Sequence, residues 1–211
     1  MKKTIFLLSL GALVLTGCPK HEIIPAPTPK IELSGHLEGV INGTSIELTE
    51  NVGGYFVDAT KAKVVLSSPQ PSTAVYYSEM KSSQSTVSVR IGMGSILWDA
   101  SVATDPSINQ FNDFFNAPAN LEPLYSDGAA AGFEVVYRDG SGKVWTSEES
   151  NPGTVIFNNI TQEADATGDY SKFVCTFSTT VHRTQINPSP QPPTELYLDL
   201  EDIVFEGWFK R

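Results

Sequence analysis

The sequence predicts a mainly β fold over residues 31–211, and three observations lead to that class. Apolar and polar residues alternate with a period of two, as in IELSGHLEGVI at 31–41. Turns rich in glycine and proline recur between the alternating runs. One segment, DPSINQFNDFF at 105–115, instead spaces its apolar residues as a helix does. Together they predict an antiparallel β-sandwich, immunoglobulin-like or jelly-roll-like, with one short helix.

The elements follow in chain order from a hairpin at Asn42-Gly43, where both turn residues tolerate positive φ. Further strands are predicted at 55–57, 63–67, 75–79, 86–97, 132–138, 143–146, 154–158, 172–183 and 195–209. In the helical segment, Asp105 is the predicted N-cap and Pro106 the first helical residue. In the last strand the apolar residues change parity, which predicts a β-bulge near Glu201-Asp202.

The N-terminal stretch MKKTIFLLSLGALVLTGC has the layout of an export signal. Two lysines precede an apolar run at 5–15 that is too short to remain as a membrane-spanning helix. Its last four residues, Leu15-Thr16-Gly17-Cys18, resemble the lipobox of bacterial lipoproteins. The resemblance implies a signal peptide at 1–17, a diacylglycerol on the Cys18 thiol and a palmitate-type chain on the new amino terminus. Residues 18–30, with four prolines, are then a tether from the membrane to the domain.

Composition agrees with a folded, exported domain. The chain has 18% charged and 40% hydrophobic residues and a formal net charge of -10, which disfavours nucleic acid as a partner. Cys175 is the only cysteine besides Cys18, and it lies between Phe173 and Phe177 on one face of an alternating strand. We therefore expect Cys175 to be a buried, free thiol.

The sequence singles out no catalytic residue. Its three histidines, His21, His36 and His182, fall in the tether, the first strand and the end of a late strand. The run Gly92-Met93-Gly94-Ser95 lacks the strand-turn-helix context of a nucleophile elbow. A non-catalytic role is the favoured interpretation.

Aromatic side chains are the first candidates for ligand binding. Trp98, Trp145 and Trp208 could each stack on a sugar ring if exposed, although packing in the core is the commoner role of a tryptophan. Trp208 ranks first because its parity is opposite to that of Phe205 and Phe209, so it should point away from their core and into solvent.

Acidic residues are the second candidates. The turn EADATGD brings Glu163, Asp165 and Asp169 close in sequence, and carboxylate oxygens are what Ca²⁺ prefers. Its glycine is not at the sixth loop position and no acid closes the loop, so a solvated turn is favoured over a calcium site. Apart from the lipid on Cys18, no cofactor is expected.

Three segments are similar to small β-sandwich lipoproteins of Gram-negative bacteria whose function is uncharacterised: VVYRDGSGKVWTSEE at 135–149, FVCTF at 173–177 and VFEGWFKR at 204–211. The resemblance implies a fold and supplies no catalytic residue. We expect the lipid-anchored protein in the outer membrane, and Pro19-Lys20 after the cysteine leaves open which face of that membrane the domain reaches. The favoured function is a glycan- or ligand-binding accessory module. The alternatives are a structural partner of another envelope protein and, third, a hydrolase.

Overall fold

The computed structural model describes residues 30–151 and 153–211. The predicted signal peptide, Cys18 and the tether as far as residue 29 lie outside the described residues. Within the described part of the chain, no helix is long and apolar enough to cross a membrane. The strands and helices are β1 His36–Ile41, β2 Thr44–Thr49, β3 Tyr55–Val64, β4 Ser72–Ser82, β5 Ser88–Trp98, α1 Ile108–Asn116, α2 Pro118–Leu121, β6 Phe133–Arg138, β7 Val144–Ser147, β8 Val155–Asp165, β9 Gly168–Gln185 and β10 Thr194–Lys210.

The strands pair antiparallel in one curled sheet in the order β2-β1-β10-β9-β7-β6-β5-β4-β3, and β8 pairs with β9 off this path. The first half of β9 pairs with β8 and its second half with β7. The sheet folds over so that β3 and β4 contact β10. Two facing layers result, which confirms the predicted mainly β, antiparallel, sandwich-like class.

Aromatic side chains fill the space between the layers. Phe133 on β6 meets Phe157 on β8 and Phe177 on β9, each with ring centroids 5.8 Å apart. Helix α1 closes one side, since Phe115 stacks on Phe209 of β10 with centroids at 4.5 Å. Burying each such ring contributes roughly 1.5–3 kcal/mol, so these contacts hold the two layers together.

Several local predictions are confirmed. The β1–β2 hairpin turns at Asn42 and Gly43, with φ of 49° and 75°. The pairing of β10 with β9 shifts register between Leu200 and Ile203, and Asp202 has φ of 50°, as a bulge requires. Cys175 is fully buried and free, and burial raises the pKa of its thiol well above the ordinary value.

Other local predictions are wrong at their boundaries. The N-cap of α1 is Ser107 and not Asp105, because Ser107 and Gln110 exchange a reciprocal pair of bonds, a capping box. Asp105 is used elsewhere, accepting from Lys61 at 2.6 Å and Lys63 at 3.0 Å. A second short helix, α2, follows directly. The runs predicted at 55–57 and 63–67 are joined as the continuous strand β3 through Val64, since the polar residues between them keep pairing with β4.

Candidate functional site

The three tryptophans lie in the interior, which corrects the expectation that they form an exposed binding surface. Trp98 is 4% exposed and its Nε1 donates to the Ala103 carbonyl at 2.9 Å. Trp145 is 6% exposed and its Nε1 donates to Asp139 at 3.1 Å. Trp208 is 7% exposed. The indole nitrogens of Trp98 and Trp145 donate hydrogen bonds to residues of neighbouring loops. These two tryptophans therefore pack in the core and hold those loops in place.

Trp208 is buried although it lies on the outer face of β10, as alternation along the strand predicts. Its cross-strand partner Lys172 points outward and donates to the Glu32 carbonyl at 3.1 Å, while the Ile31 amide donates to Asp165 at 3.0 Å. These two bonds lay residues 31–35 across the outer side of β9 and β10. Ile31 and Leu33 pack against the core cluster that contains Trp208. The prediction that Trp208 faces solvent is therefore wrong, because a segment preceding β1 covers it.

The acidic turn does not gather its carboxylates. Asp169 is paired across the hairpin with Ala164, so its side chain lies on the face opposite to Glu163 and Asp165. Their partners are, in chain order, Lys172 for Glu163, Thr167 and the Ile31 amide for Asp165, and Arg211 for Asp169. In residues 30–151 and 153–211, no three His, Cys, Asp or Glu side chains form a metal-binding group. These acids act as bonding partners within the fold.

A cleft of about 680 Å³ opens on the outer face, where β6, β7 and β9 meet. Cross-strand register sets four outward residues in one row, Val136, Thr146, His182 and Tyr197, from β6, β7, β9 and β10, and the middle two line the cleft. The residues that line the cleft are Asp127, Gly128, Glu134, Thr146, Ser147, Glu148, Glu149, Ser150 and His182. Sheet pairing thus builds the floor, and the loops after α2 and β7 build the walls.

His182 and Tyr197 form the centre of this row. The His182 Nδ1 lies 3.3 Å from Glu148 Oε1 and 3.4 Å from Glu195 Oε2. The Tyr197 ring is nearly parallel to the imidazole, at 29° with centroids 6.3 Å apart. Tyr197 is 59% exposed, so its side chain is largely open to solvent, and Glu195 lies two residues before it on the same outer face of β10.

The cleft is negatively charged. Four carboxylates line it, from Asp127, Glu134, Glu148 and Glu149, and that of Glu195 lies 3.4 Å from His182. The Thr184 hydroxyl, donating at 2.7 Å, and His182 hold the pKa of Glu195 below its ordinary value. Arg90 approaches Glu134 only to 3.8 Å. The cleft therefore offers carboxylate oxygens that accept hydrogen bonds from hydroxyl or ammonium groups, and its excess of acidic residues disfavours anions.

Strand pairing explains why hydroxyl groups lie near His36 and His182, the two histidines among the described residues. Ser147 Oγ accepts from the Val135 amide at 2.9 Å and is buried, away from the outward His182. Thr49 lies 3.2 Å from His36, but it is simply the cross-strand neighbour of His36 on the β1–β2 hairpin. The arrangement at the cleft supplies acceptors and an aromatic face.

Sequence reasoning missed this site although a signal for it existed. Tyr197 lies between Leu196 and Leu198, which point inward before the bulge, so alternation already places Tyr197 outside. The same argument fails for Trp208, because the outer face is covered after the bulge. His182 carries no comparable signal, because its neighbours Glu148 and Glu195 are distant from it in sequence.

No protein family model matches this chain, and no curated protein or solved structure matches it either. The chemistry of the cleft therefore has to be interpreted from its own residues.

Proposed function

We propose that the chain is a lipid-anchored protein of the outer membrane whose β-domain binds a glycan in the cleft beside Tyr197, without catalysing a reaction on it. One observation carries the binding role: the exposed ring of Tyr197 lies 6.3 Å from the ring of His182, which lines a cleft of about 680 Å³ and approaches Glu148 and Glu195 at 3.3 and 3.4 Å. The anchor is supported by the export-type signal and by the lipobox-like Leu15-Thr16-Gly17-Cys18.

A glycan suits the two kinds of group that meet in the cleft. The apolar face of a sugar ring stacks on an exposed aromatic ring, while its hydroxyls donate to carboxylates. A few directed polar groups around an apolar contact are typical of small-ligand sites. The excess of carboxylates also selects among sugars by their charge, because like charges placed opposite one another are strongly unfavourable. Neutral sugars and amino sugars fit the cleft, and sulfated, phosphorylated or uronic-acid sugars do not.

Immobilised oligosaccharides of the three charge classes test the binding role. We expect the mature protein to be captured by neutral or amino sugars, and Tyr197→Ala to weaken capture at least tenfold, which corresponds to losing about 1.4 kcal/mol of contact. Phe56→Ala is the matched control, since Phe56 is an exposed aromatic on β3, away from the cleft. Unchanged capture by Tyr197→Ala, or a preference for acidic sugars, would contradict the proposal.

Metabolic labelling with a palmitate analogue tests the anchor. Cys18→Ser should lose the label and stay unprocessed or become soluble, because a serine hydroxyl is not the thiol that receives the lipid. Cys175→Ala is the control, since Cys175 is buried in the core and should not affect the label. Label retained by Cys18→Ser would exclude Cys18 as the acylated residue.

A further inference from the structure

The chain enters the sandwich at one particular end. The Ile31 amide donates to the side chain of Asp165, the last residue of β8, at 3.0 Å. Arg211, at the end of β10, pairs with Asp169 and donates to the Pro106 carbonyl at 3.1 Å. Lys63, at the end of β3, donates to the Thr104 carbonyl at 3.0 Å. We call this end, formed by residues 31–32, 61–66, 97–108, 165–169 and 210–211, the entry end.

Exposed aliphatic side chains are concentrated at the entry end. Thirteen large apolar residues are exposed in the described chain, and six of them lie here: Val64, Val65, Leu66, Leu97, Val102 and Ile108. Val102 is 83% exposed and Val65 is 62% exposed. Val64 and Leu97 lie in one cross-strand row on either side of Thr73, which pairs with both, and Gln110 in α1 donates to the Leu97 carbonyl at 2.9 Å. Grouped exposed apolar residues mark an interaction surface.

Some of the charged side chains at the entry end are paired with one another. Lys61 and Lys63 share Asp105, and Arg211 pairs with Asp169. Asp99, Asp165 and Lys210 form no ion pair among the described residues. Paired charges lose less hydration energy than isolated ones when a surface approaches an apolar phase. By contrast, the acidic cleft opens beside His182, twelve residues along β9 from Tyr170 near the entry end, which is roughly 40 Å for an extended strand.

We propose that the entry end docks on the bilayer that carries Cys18, with the aliphatic side chains of 64–66 and 97–108 in the lipid interface. This inference rests on the lipid anchor proposed above. Cys18 precedes Ile31 by thirteen residues, and a chain of that length spans at most about 45 Å, so the entry end stays close to the membrane. Tethering of this kind raises the effective concentration to the millimolar range, and weak apolar insertion then suffices. Docking in this direction keeps the cleft facing away from the lipid.

An environment-sensitive fluorophore placed on the entry end tests the docking. Val102→Cys is labelled with a nitrobenzoxadiazole probe in the acylated protein, where Cys18 is blocked and Cys175 is buried. The protein is reconstituted in vesicles of phosphatidylethanolamine and phosphatidylglycerol, with or without doxyl-labelled lipid. We expect a blue-shifted emission and at least twofold quenching by the doxyl group. Val65→Cys serves as a second position on the same end.

Val52→Cys is the matched control. Val52 is also 62% exposed, but it precedes the start of β3, while Val64 ends that ten-residue strand, roughly 30 Å away. Its probe should be neither shifted nor quenched.

The mass of the Cys18 peptide separates the two hypotheses. An acylated protein with unquenched probes at 102 and 65 overturns the docking and leaves the anchor standing. A blue shift without doxyl quenching means that protein, such as a second copy, covers this end, and it also overturns the docking. A peptide without acyl chains overturns the anchor, and the docking with it.

Discussion

The two halves of β10 carry one aromatic residue each on the same outer face, and the two residues have opposite fates. Tyr197, before the bulge, is 59% exposed and borders the cleft. Trp208, after the bulge, is 7% exposed. The difference lies in residues 31–35, which cross the outer side of the second half only. Alternation along a strand determines which face a side chain takes, but another part of the chain decides whether that face is wet.

The comparison predicts first that Trp208 is a packing residue. Trp208→Ala should lower the free energy of unfolding by about 3–5 kcal/mol, the usual cost of removing a buried aromatic side chain. Urea denaturation monitored by far-ultraviolet circular dichroism measures the change. A loss below about 1 kcal/mol would mean that residues 31–35 do not cover Trp208 in solution.

Residues 31–35, which cover Trp208, should account for part of the stability that Trp208 contributes. Leu33→Ala removes a half-buried side chain that packs against the core, so a loss of about 1–2 kcal/mol is expected, below the range for fully buried leucines. The emission of Trp208, measured in a variant with Trp98 and Trp145 replaced by phenylalanine, should shift to longer wavelength.

Glu32→Ala is the control for Leu33→Ala. The Glu32 side chain is exposed, and the bond from Lys172 goes to its backbone carbonyl, which the substitution keeps. It should leave both stability and emission unchanged. An equal effect of the two substitutions would contradict a specific cover by Leu33.

The sequence sufficed for those features that are encoded locally. The turn at Asn42-Gly43 follows from residues that tolerate positive φ, and the bulge at Asp202 follows from a change of apolar parity within one strand. The cover over Trp208 and the carboxylates around His182 depend on contacts between residues far apart in the chain, such as Glu32 with Lys172 and Glu148 with His182. No periodicity within a segment reports such contacts, so the fold class was predictable and the cleft was not.

The entry end should respond to acid through Asp105. Hydrogen bonding from Lys61, with help from Lys63, lowers the pKa of Asp105 to about 2. Because the folded pKa is below the unfolded value of about 3.9, the contribution of Asp105 to stability is present above pH 4 and is lost as the pH falls through 2.

Asp105→Asn should therefore cost about 0.2–1 kcal/mol at pH 7, the range for partly exposed ion pairs, and only a small part of that at pH 2, where Asp105 is about half protonated. Thermal melts of the unsubstituted protein and of Asp105→Asn between pH 2 and pH 7 measure the difference in stability between the two. The acid dependence of Asp139 and Asp165 is the same in both proteins, so it cancels in that difference. A difference that is the same at pH 7 and pH 2 would mean that the ion pair with Lys61 does not contribute.

The smallest effect on stability is expected at Tyr197, and it completes the comparison with Trp208. Tyr197 points to the same outer side of β10, but no segment crosses it, and its nearest ring is His182 at a centroid distance of 6.3 Å. Tyr197→Ala should therefore change the free energy of unfolding by no more than about 0.5 kcal/mol, as surface substitutions usually do. Urea denaturation under the conditions used for Trp208→Ala gives the direct contrast. A loss of 2 kcal/mol or more would show that Tyr197 packs in the folded protein, and the open aromatic face on which the glycan proposal depends would then not exist.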